Sequence, residues 1–559
     1  GSVVNFHSAS VTNGLLRSSD GGVLRNTLGS TFTDIFLTSG STLQIPNATS
    51  ATFTGTLTNG GVVQLLSAGN FTDFLVGTGG VTLVGGVVDL GGNVNNRIYS
   101  PSGTTTLINQ SALLRGAGQI GVGLTRIDNR AVIDANLAGA TLTLDPSASG
   151  AVNTGLLTSS NGGILRLHGG TYDNTGGSII AGASSRVDLD SAVITGGFIG
   201  GSTIRNAVSS SLSALNIGAG ASVEVSNATQ LTLTGAIGNS GTVRLQSAGN
   251  FTDLFIGAGG VTLSAHGVIE LSNNSTNRIY AATGATALNN VNNTIRGSGQ
   301  LGIGQLTLSN SGTIEANQST ALTVDLTNST TFTNQGTLRA SNGATLAFND
   351  PLTNAATIAV QSGSAFTTTG ALTQTAGNTS LQGGTLSAAS TALNGGLLQG
   401  SGTINGVVTN GGTIAPGASG LAAGIGTLTF NHALTLTPTS LLLLEIGGTG
   451  SADRINAPNA FLNGALAVSF ANGFNATVQP ADSFTLLSTV NASGLTGSFN
   501  GLANGARFLT ADGAGSFQLN YAGNALLISN FVAVPEPSTY VLIGFGAVVI
   551  FIAQRRRRT

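Results

Sequence analysis

Apolar and small polar residues alternate along most of this chain. Thr141-Leu-Thr-Leu, Leu231-Thr-Leu-Thr and Leu434-Thr-Leu-Thr each put Leu on one side of an extended segment and Thr on the other. A second pattern punctuates the first: Asn-x-Gly followed by a β-branched or aliphatic pair. It occurs at Asn59-Gly-Gly-Val-Val, Asn161-Gly-Gly-Ile-Leu, Asn239-Ser-Gly-Thr-Val, Asn310-Ser-Gly-Thr-Ile, Asn334-Gln-Gly-Thr-Leu and Asn410-Gly-Gly-Thr-Ile. Asn and Gly tolerate positive φ and bend the chain, and the β-branched residues that follow favour a strand. No stretch before Val534 holds an apolar period of about 3.6 residues over several turns. The pattern predicts short strands and tight turns repeating at roughly 20 residues, the signature of a solenoid coil.

A longer repeat encloses the short one. SAGNFTD at 67–73 returns at 247–253, GGVTL at 79–83 at 259–263, and NRIY at 96–99 at 277–280. LRGAGQIGVG at 114–123 returns as IRGSGQLGIG at 295–304, and the match runs from Arg25 (against Arg205) to Asp145 (against Asp325). A shortened echo, LQGSGTING, occupies 398–406. One coil cannot bury its apolar side alone, but stacked coils can, each strand pairing with the one above at about 4.8 Å. The fold class expected is therefore all-β: a parallel β-solenoid (β-helix) with a C-terminal β cap and a short C-terminal membrane helix. Phe71 and Phe251, and Tyr99 and Tyr280, are expected in equivalent coils. Asn, Thr and Ser at matching positions are expected to form ladders along the outside.

Composition supports a core and excludes much chemistry. Only 7% of the 559 residues are charged, all 19 basic residues are Arg, and the chain is 40% hydrophobic with a formal charge of −2. Disordered chains have few apolar residues and high net charge, so disorder is excluded. With no Cys there are no disulfides, zinc ribbons or catalytic thiols. The chain opens on Gly1-Ser2 rather than Met, which predicts that any N-terminal export signal lies outside it.

Three segments are expected. Residues 1–426 are solenoid, with the duplication at about 20–146 and 200–326. Residues 427–532, with the apolar run Leu441-Leu-Leu-Leu and a Phe-rich stretch from Phe470 to Phe484, form a β unit that covers the open strand edges of the last coil. Residues 533–559 form a tail in which Val534, Pro535, Glu536, Pro537 and Ser538 precede an uncharged apolar run at 540–553, and Arg555, Arg556, Arg557 and Arg558 follow. Apolar run plus basic cluster is the requirement for a membrane stop, since the Arg side chains stay at the cytoplasmic surface. The 14 residues reach about 21 Å as a helix, short of the roughly 30 Å hydrocarbon core, which makes a marginal anchor.

This tail closely resembles the PEP-CTERM sorting signal of Gram-negative bacteria. The resemblance implies that an exosortase-type enzyme recognises Pro535, Glu536 and Pro537. It also implies that the chain is anchored transiently in the inner membrane, and that the product reaches the cell surface or extracellular matrix, often beside exopolysaccharide. The body looks like the autotransporter-type β-helix passengers through Leu398-Gln-Gly-Ser-Gly-Thr-Ile404 and Asn410-Gly-Gly-Thr-Ile-Ala-Pro-Gly417. The chain leaves no room for the C-terminal translocator barrel of that family, so self-secretion is not expected.

No catalytic constellation stands out. His7, His168, His266 and His432 are scattered, without a His or Cys at ligand spacing. The Gly-x-Gly pairs lack the βαβ context of a phosphate loop. Among the carboxylates, Asp188 and Asp190 share one side of a strand, while Asp73 and Asp253, with Arg97, Tyr99, Arg278 and Tyr280, belong to the duplicated segments. An active site is normally present once, so duplicated residues suit a structural ladder or a repeated binding surface. Outside the tail 15 Arg face 20 acidic residues, which argues against nucleic acid. No cofactor, metal or catalytic residue is predicted. The expected function is that of an exported structural or adhesive surface protein. Surface glycans and self-association are the candidate interactions, and a polysaccharide-binding or polysaccharide-degrading β-helix is the alternative.

Overall fold

The structure, a computed structural model, describes residues 1–103, 105–284, 286–327, 331–417, 424–534 and 552–554. It is a parallel β-solenoid of about 21 turns. Among the described residues, helix is confined to one 3₁₀ turn at Phe474–Ala476 and to residues 552–554. The chain forms two compact units, Gly1–Phe332 and Thr333–Thr559.

In the first unit each coil contributes one strand to each of three parallel sheets. Sheet 1 begins with Val23–Leu28, Thr42–Pro46 and Val62–Leu66, which stack in register (Leu24 on Leu43 on Val63). Sheet 2 begins with residues 30–33, 51–54 and 74–76, and sheet 3 with 35–37, 57–59 and 81–83. Inward positions are apolar and fully buried (Leu43, Phe53, Leu83, Leu142, Leu144), and the intervening Thr and charged residues face out. Gly55 and Gly235, both with positive φ, mark the bend from sheet to sheet in single strands that serve two sheets, Ser50–Asn59 and Gln230–Asn239.

Five of the six Asn-x-Gly asparagines, Asn59, Asn239, Asn310, Asn334 and Asn410, are inside, contrary to the expected outer ladder, and Asn161 is exposed in its turn; other asparagines join them in the corners. Asn109, Asn129, Asn153 and Asn174 are at most 1% exposed. Each amide donates to the next: Asn109 to Asn129 at 2.8 Å, Asn129 to Asn153 at 2.7 Å, Asn153 to Asn174 at 2.6 Å. The same amides bond main-chain groups of the turn, Asn109 accepting from the Ala112 N–H and Asn129 donating to the Ala131 carbonyl. A corner must turn its backbone polar groups away from the sheet ladder, and an inward amide satisfies them where water does not reach. The Thr rows do lie outside.

The duplication has a geometry that its length hides. Arg25, Gln44, Gln64, Asp89, Arg115, Asp134, Thr158, Ile180 and Gly200 are successive neighbours in sheet 1, eight steps. Arg205, the counterpart of Arg25, lies in the next strand position of that coil, in sheet 2, where it pairs with Asp188. The repeat therefore spans eight coils and one further sheet. Every segment of the second copy sits one sheet forward of its original: 74–76 are in sheet 2 and 254–256 in sheet 3. The local structure is otherwise retained, with Thr72–Val84 and Thr252–Ser264 both 13-residue strands.

The second unit repeats the three-ladder plan. Leu338, Ile358, Thr379, Leu398, Ile414, Leu442 and Leu466 form one row of stacked neighbours. Parallel stacking continues past residue 427, as far as Leu495–Gly497 on Ala460–Leu462. Antiparallel strands close it: Ala525–Ala533 pairs with Phe484–Thr489 and with Gly515–Tyr521, which also pairs with Arg507–Leu509. Phe470, Phe474, Phe484, Phe517 and Phe531 form one aromatic cluster there, with centroids 5.0–6.0 Å apart. The cluster supplies the apolar surface that the last coil needs on its open side.

Candidate functional site

Three places carry the residues singled out by sequence. The tail leaves the body at Val534, which is exposed and whose N–H donates to the Ala514 carbonyl at 3.0 Å. Pro535, Glu536, Pro537, Ser538, most of the apolar run and Arg555 to Arg558 lie outside the described residues. Among the described residues no helix is long and apolar enough to cross a membrane.

The second place is the duplicated cluster. Arg97 donates to both carboxylate oxygens of Asp73, each at 2.8 Å, and its guanidinium lies 3.7 Å from the Phe71 ring centroid and 4.8 Å from that of Tyr99. Arg278, Asp253, Phe251 and Tyr280 repeat it with 2.8 and 2.7 Å bonds and ring distances of 3.8 and 4.8 Å. The bond to Asp73 raises the Arg97 pKa against the opposing effect of burial, and burial raises Tyr99, so both keep their protons at neutral pH. Phe71 and Phe251 are each 55% exposed, with one ring face on the guanidinium. The two clusters are chemically equal but lie on different sheets, Arg97 in sheet 2 and Arg278 in sheet 3.

The third place surrounds Asp188 and Asp190. Leu189 between them points into the core, and both carboxylates stand on the outer side of sheet 2 in the strand Ser178–Asp190. Asp188 accepts from Arg186 at 3.1 Å and from Arg205 at 2.6 Å. Asp190 accepts from His168 Nδ1 at 2.7 Å and from Arg166. Apart from Arg186, these side chains, with Asp145, Gln119 and Thr143, line an open cleft of about 680 Å³ on the outside of sheet 2. Burial pushes the Asp145 carboxyl up, against the pull of His168 and Arg166. Burial pushes Asp190 the same way, but the bonds from His168 and Arg166 outweigh it and hold its pKa down. Sequence reading paired Asp188 with Asp190 and left His168 as an isolated residue. It missed Asp145, Arg166 and Arg205. The available signal was the one-coil offset of 22 that sets Leu165-Arg-Leu-His beside Val187-Asp-Leu-Asp.

The cleft opens onto a charge ladder. Arg166, Asp188, Arg205, Glu224, Arg244, Glu270, Arg296 and Glu315 are successive neighbours in sheet 2, alternating in sign at every step. Glu270 takes Arg296 at 2.9 Å and Arg244 at 3.3 Å. Alternation places each charge between opposites and keeps like charges two coils apart.

Comparison with known proteins locates one family match. Residues 533–558 match the family model described as a PEP-CTERM protein-sorting motif. The chain thus carries a PEP-CTERM sorting signal, which implies export and a surface destination. No curated protein sequence matches the chain. Among solved structures, the Haemophilus influenzae Hap adhesin is similar over 90% of this chain at 13% identity and a TM-score of 0.28. The chain spans 64% of the length of that protein.

Proposed function

We propose that this is an exported structural or adhesive protein of the bacterial cell surface, delivered through its C-terminal signal. An exosortase-type enzyme recognises Pro535, Glu536 and Pro537 while the segment 540–553 holds the chain at the inner membrane. Arg555 to Arg558 stop translocation there. Processing releases the β-helix to the surface or matrix, where it acts through its length and its repeated outer faces. The observation that carries the reading is the match at 533–558, in which motif, apolar run and basic cluster follow in order. Two features of the body support a durable extracellular role: stacked buried amides and an alternating charge ladder give register without disulfides. Replacing Pro535-Glu536-Pro537 with Ala in the native host tests it. The expected outcome is a full-length precursor that accumulates in the membrane fraction. Normal release of the variant contradicts the reading.

A further inference from the structure

We propose that the cleft on sheet 2 is a binding site for a neutral oligosaccharide chain, which lies along that sheet from the Phe71–Arg97–Tyr99 cluster across Asp145 to Arg205.

Four observations converge. First, the centre of the cleft lies outside the duplication. Arg166, His168, Asp188 and Asp190 fall between the two copies of the duplication, so the repeat supplies no counterpart for them, whereas the Phe–Arg–Asp–Tyr cluster occurs twice. Second, its charges balance. Three carboxylates (Asp145, Asp188, Asp190) line it with two guanidinium groups (Arg166, Arg205) and His168, and a third guanidinium, Arg186, pairs with Asp188 from outside the lining, which favours neither a polyanion nor a polycation. Donors and acceptors set side by side without net charge suit vicinal hydroxyl groups: a carboxylate accepts from two of them, and a guanidinium donates in a fork. Third, bonding capacity is left over. Among the described residues no protein hydrogen bond reaches the Asp145 carboxylate, although it is half-buried beside Arg166 and His168. His168 uses Nδ1 on Asp190 and keeps Nε2, and Gln119 uses its amide N–H on the Val94 carbonyl and keeps its oxygen. Unpaired acceptors in a partly dry cleft bind a ligand hydroxyl more strongly than they would in open water.

Fourth, the cleft continues into an aromatic platform. Asp73, Arg97, Gln119, Thr143, Arg166, Asp188 and Arg205 are successive neighbours in sheet 2. Six coil steps span about 29 Å, room for several sugar units in line. Phe71, held from one side by Arg97, offers an apolar ring at one end of this path. The chemically equal Phe251 stands on sheet 3, away from the path, which separates the effect of position from the effect of chemistry. Because binding resides in the folded body, it is independent of how the tail is processed.

The test is calorimetric titration of the full chain, held in mild detergent, with maltohexaose, cellohexaose, xylohexaose and laminarihexaose, and with hexagalacturonate as the charged probe. At least one neutral hexamer is expected to bind, and hexagalacturonate is not. Asp145→Asn should weaken that binding at least about tenfold, Phe71→Ala several-fold, and Phe251→Ala not at all, with unchanged circular dichroism for each variant. Absence of binding by all four neutral hexamers overturns the proposal. So does tight binding of hexagalacturonate, undiminished binding by Asp145→Asn, or equal losses from Phe71→Ala and Phe251→Ala.

Discussion

The two copies of the duplication, 25–145 and 205–325, are one design executed at two angles around the same axis. Where they agree, the coil demands agreement: the Gly bends, the buried corner amides and the Arg–Asp pairs are in both. Where they differ, the substitutions are coordinated. Phe32, Phe53 and Phe74 stack inside sheet 2, with centroids 5.2 and 4.0 Å apart, and their counterparts are Leu212, Leu233 and Leu254. Phe74-Leu75 becomes Leu254-Phe255, and the ring passes from the core to the outer side, where it meets Tyr280 edge-on at 5.4 Å. A period-two strand permits that exchange without a change of register. Outside, Gln44 and Gln64 of the first copy, amide to amide at 3.3 Å, become Glu224 and Arg244 of the second. Neighbouring coils need complementary partners, and either an amide pair or an ion pair meets the need.

The largest expected effect lies in the core. Phe53→Ala removes the middle ring of the stack and should cost about 4 kcal/mol, against about 3 kcal/mol for Leu233→Ala, read from thermal unfolding. Equal costs would mean that the stacked rings add nothing beyond volume. Next is pH, which separates the duplicated unit from the rest. Asp453, in the C-terminal unit, is 1% exposed, accepts from the Gly426 and Glu445 N–H groups, and is pushed by burial up to about 7. Folded, it keeps its proton after the unfolded chain has lost it, so stability should fall as pH rises from about 4 to about 7, by up to about 4 kcal/mol. Asp453→Asn should flatten that slope, and hydrogen exchange should place the change in Thr333–Thr559. A slope left intact in the variant would assign the pH effect elsewhere.

Asn109 and Asn290 occupy equivalent corners of the two copies and donate to Asn129 and Asn310, both at 2.8 Å. Each change to Ala should cost about 2 kcal/mol by leaving buried partners unmet, and the two costs should match. A large inequality would show that the one-sheet advance alters the corner. The charge ladder is expected to give the smallest effect. Glu270→Arg puts three Arg in a row and should cost about 1–2 kcal/mol, whereas Asp89→Arg, flanked by Gln64 and Arg115, should cost roughly half as much. Both losses should shrink in high salt.

Fold class was legible because alternation and Asn-x-Gly turns are local signals. The one-sheet advance was hidden, since coil length varies: Arg115 pairs with Asp89 across 26 residues and Arg205 with Asp188 across 17. That variation also concealed the charge ladder, whose members are not evenly spaced along the chain. It concealed the cleft too, because Asp145, His168 and Asp190 meet only once the coils are stacked. The inward turn of Asn was missed for another reason. Its tolerance of positive φ explains a bend on its own, and only the neighbouring coil reveals the amide ladder. The tail was the reverse case, a contiguous motif whose order alone identified it.

The most direct test of the account is mass spectrometry of the protein recovered from the native cell surface. The account predicts peptides covering the β-helix up to the neighbourhood of Pro537 and none from 540–553. Abundant peptides from 540–553 in that material would show that the tail is a permanent anchor and contradict sorting by processing.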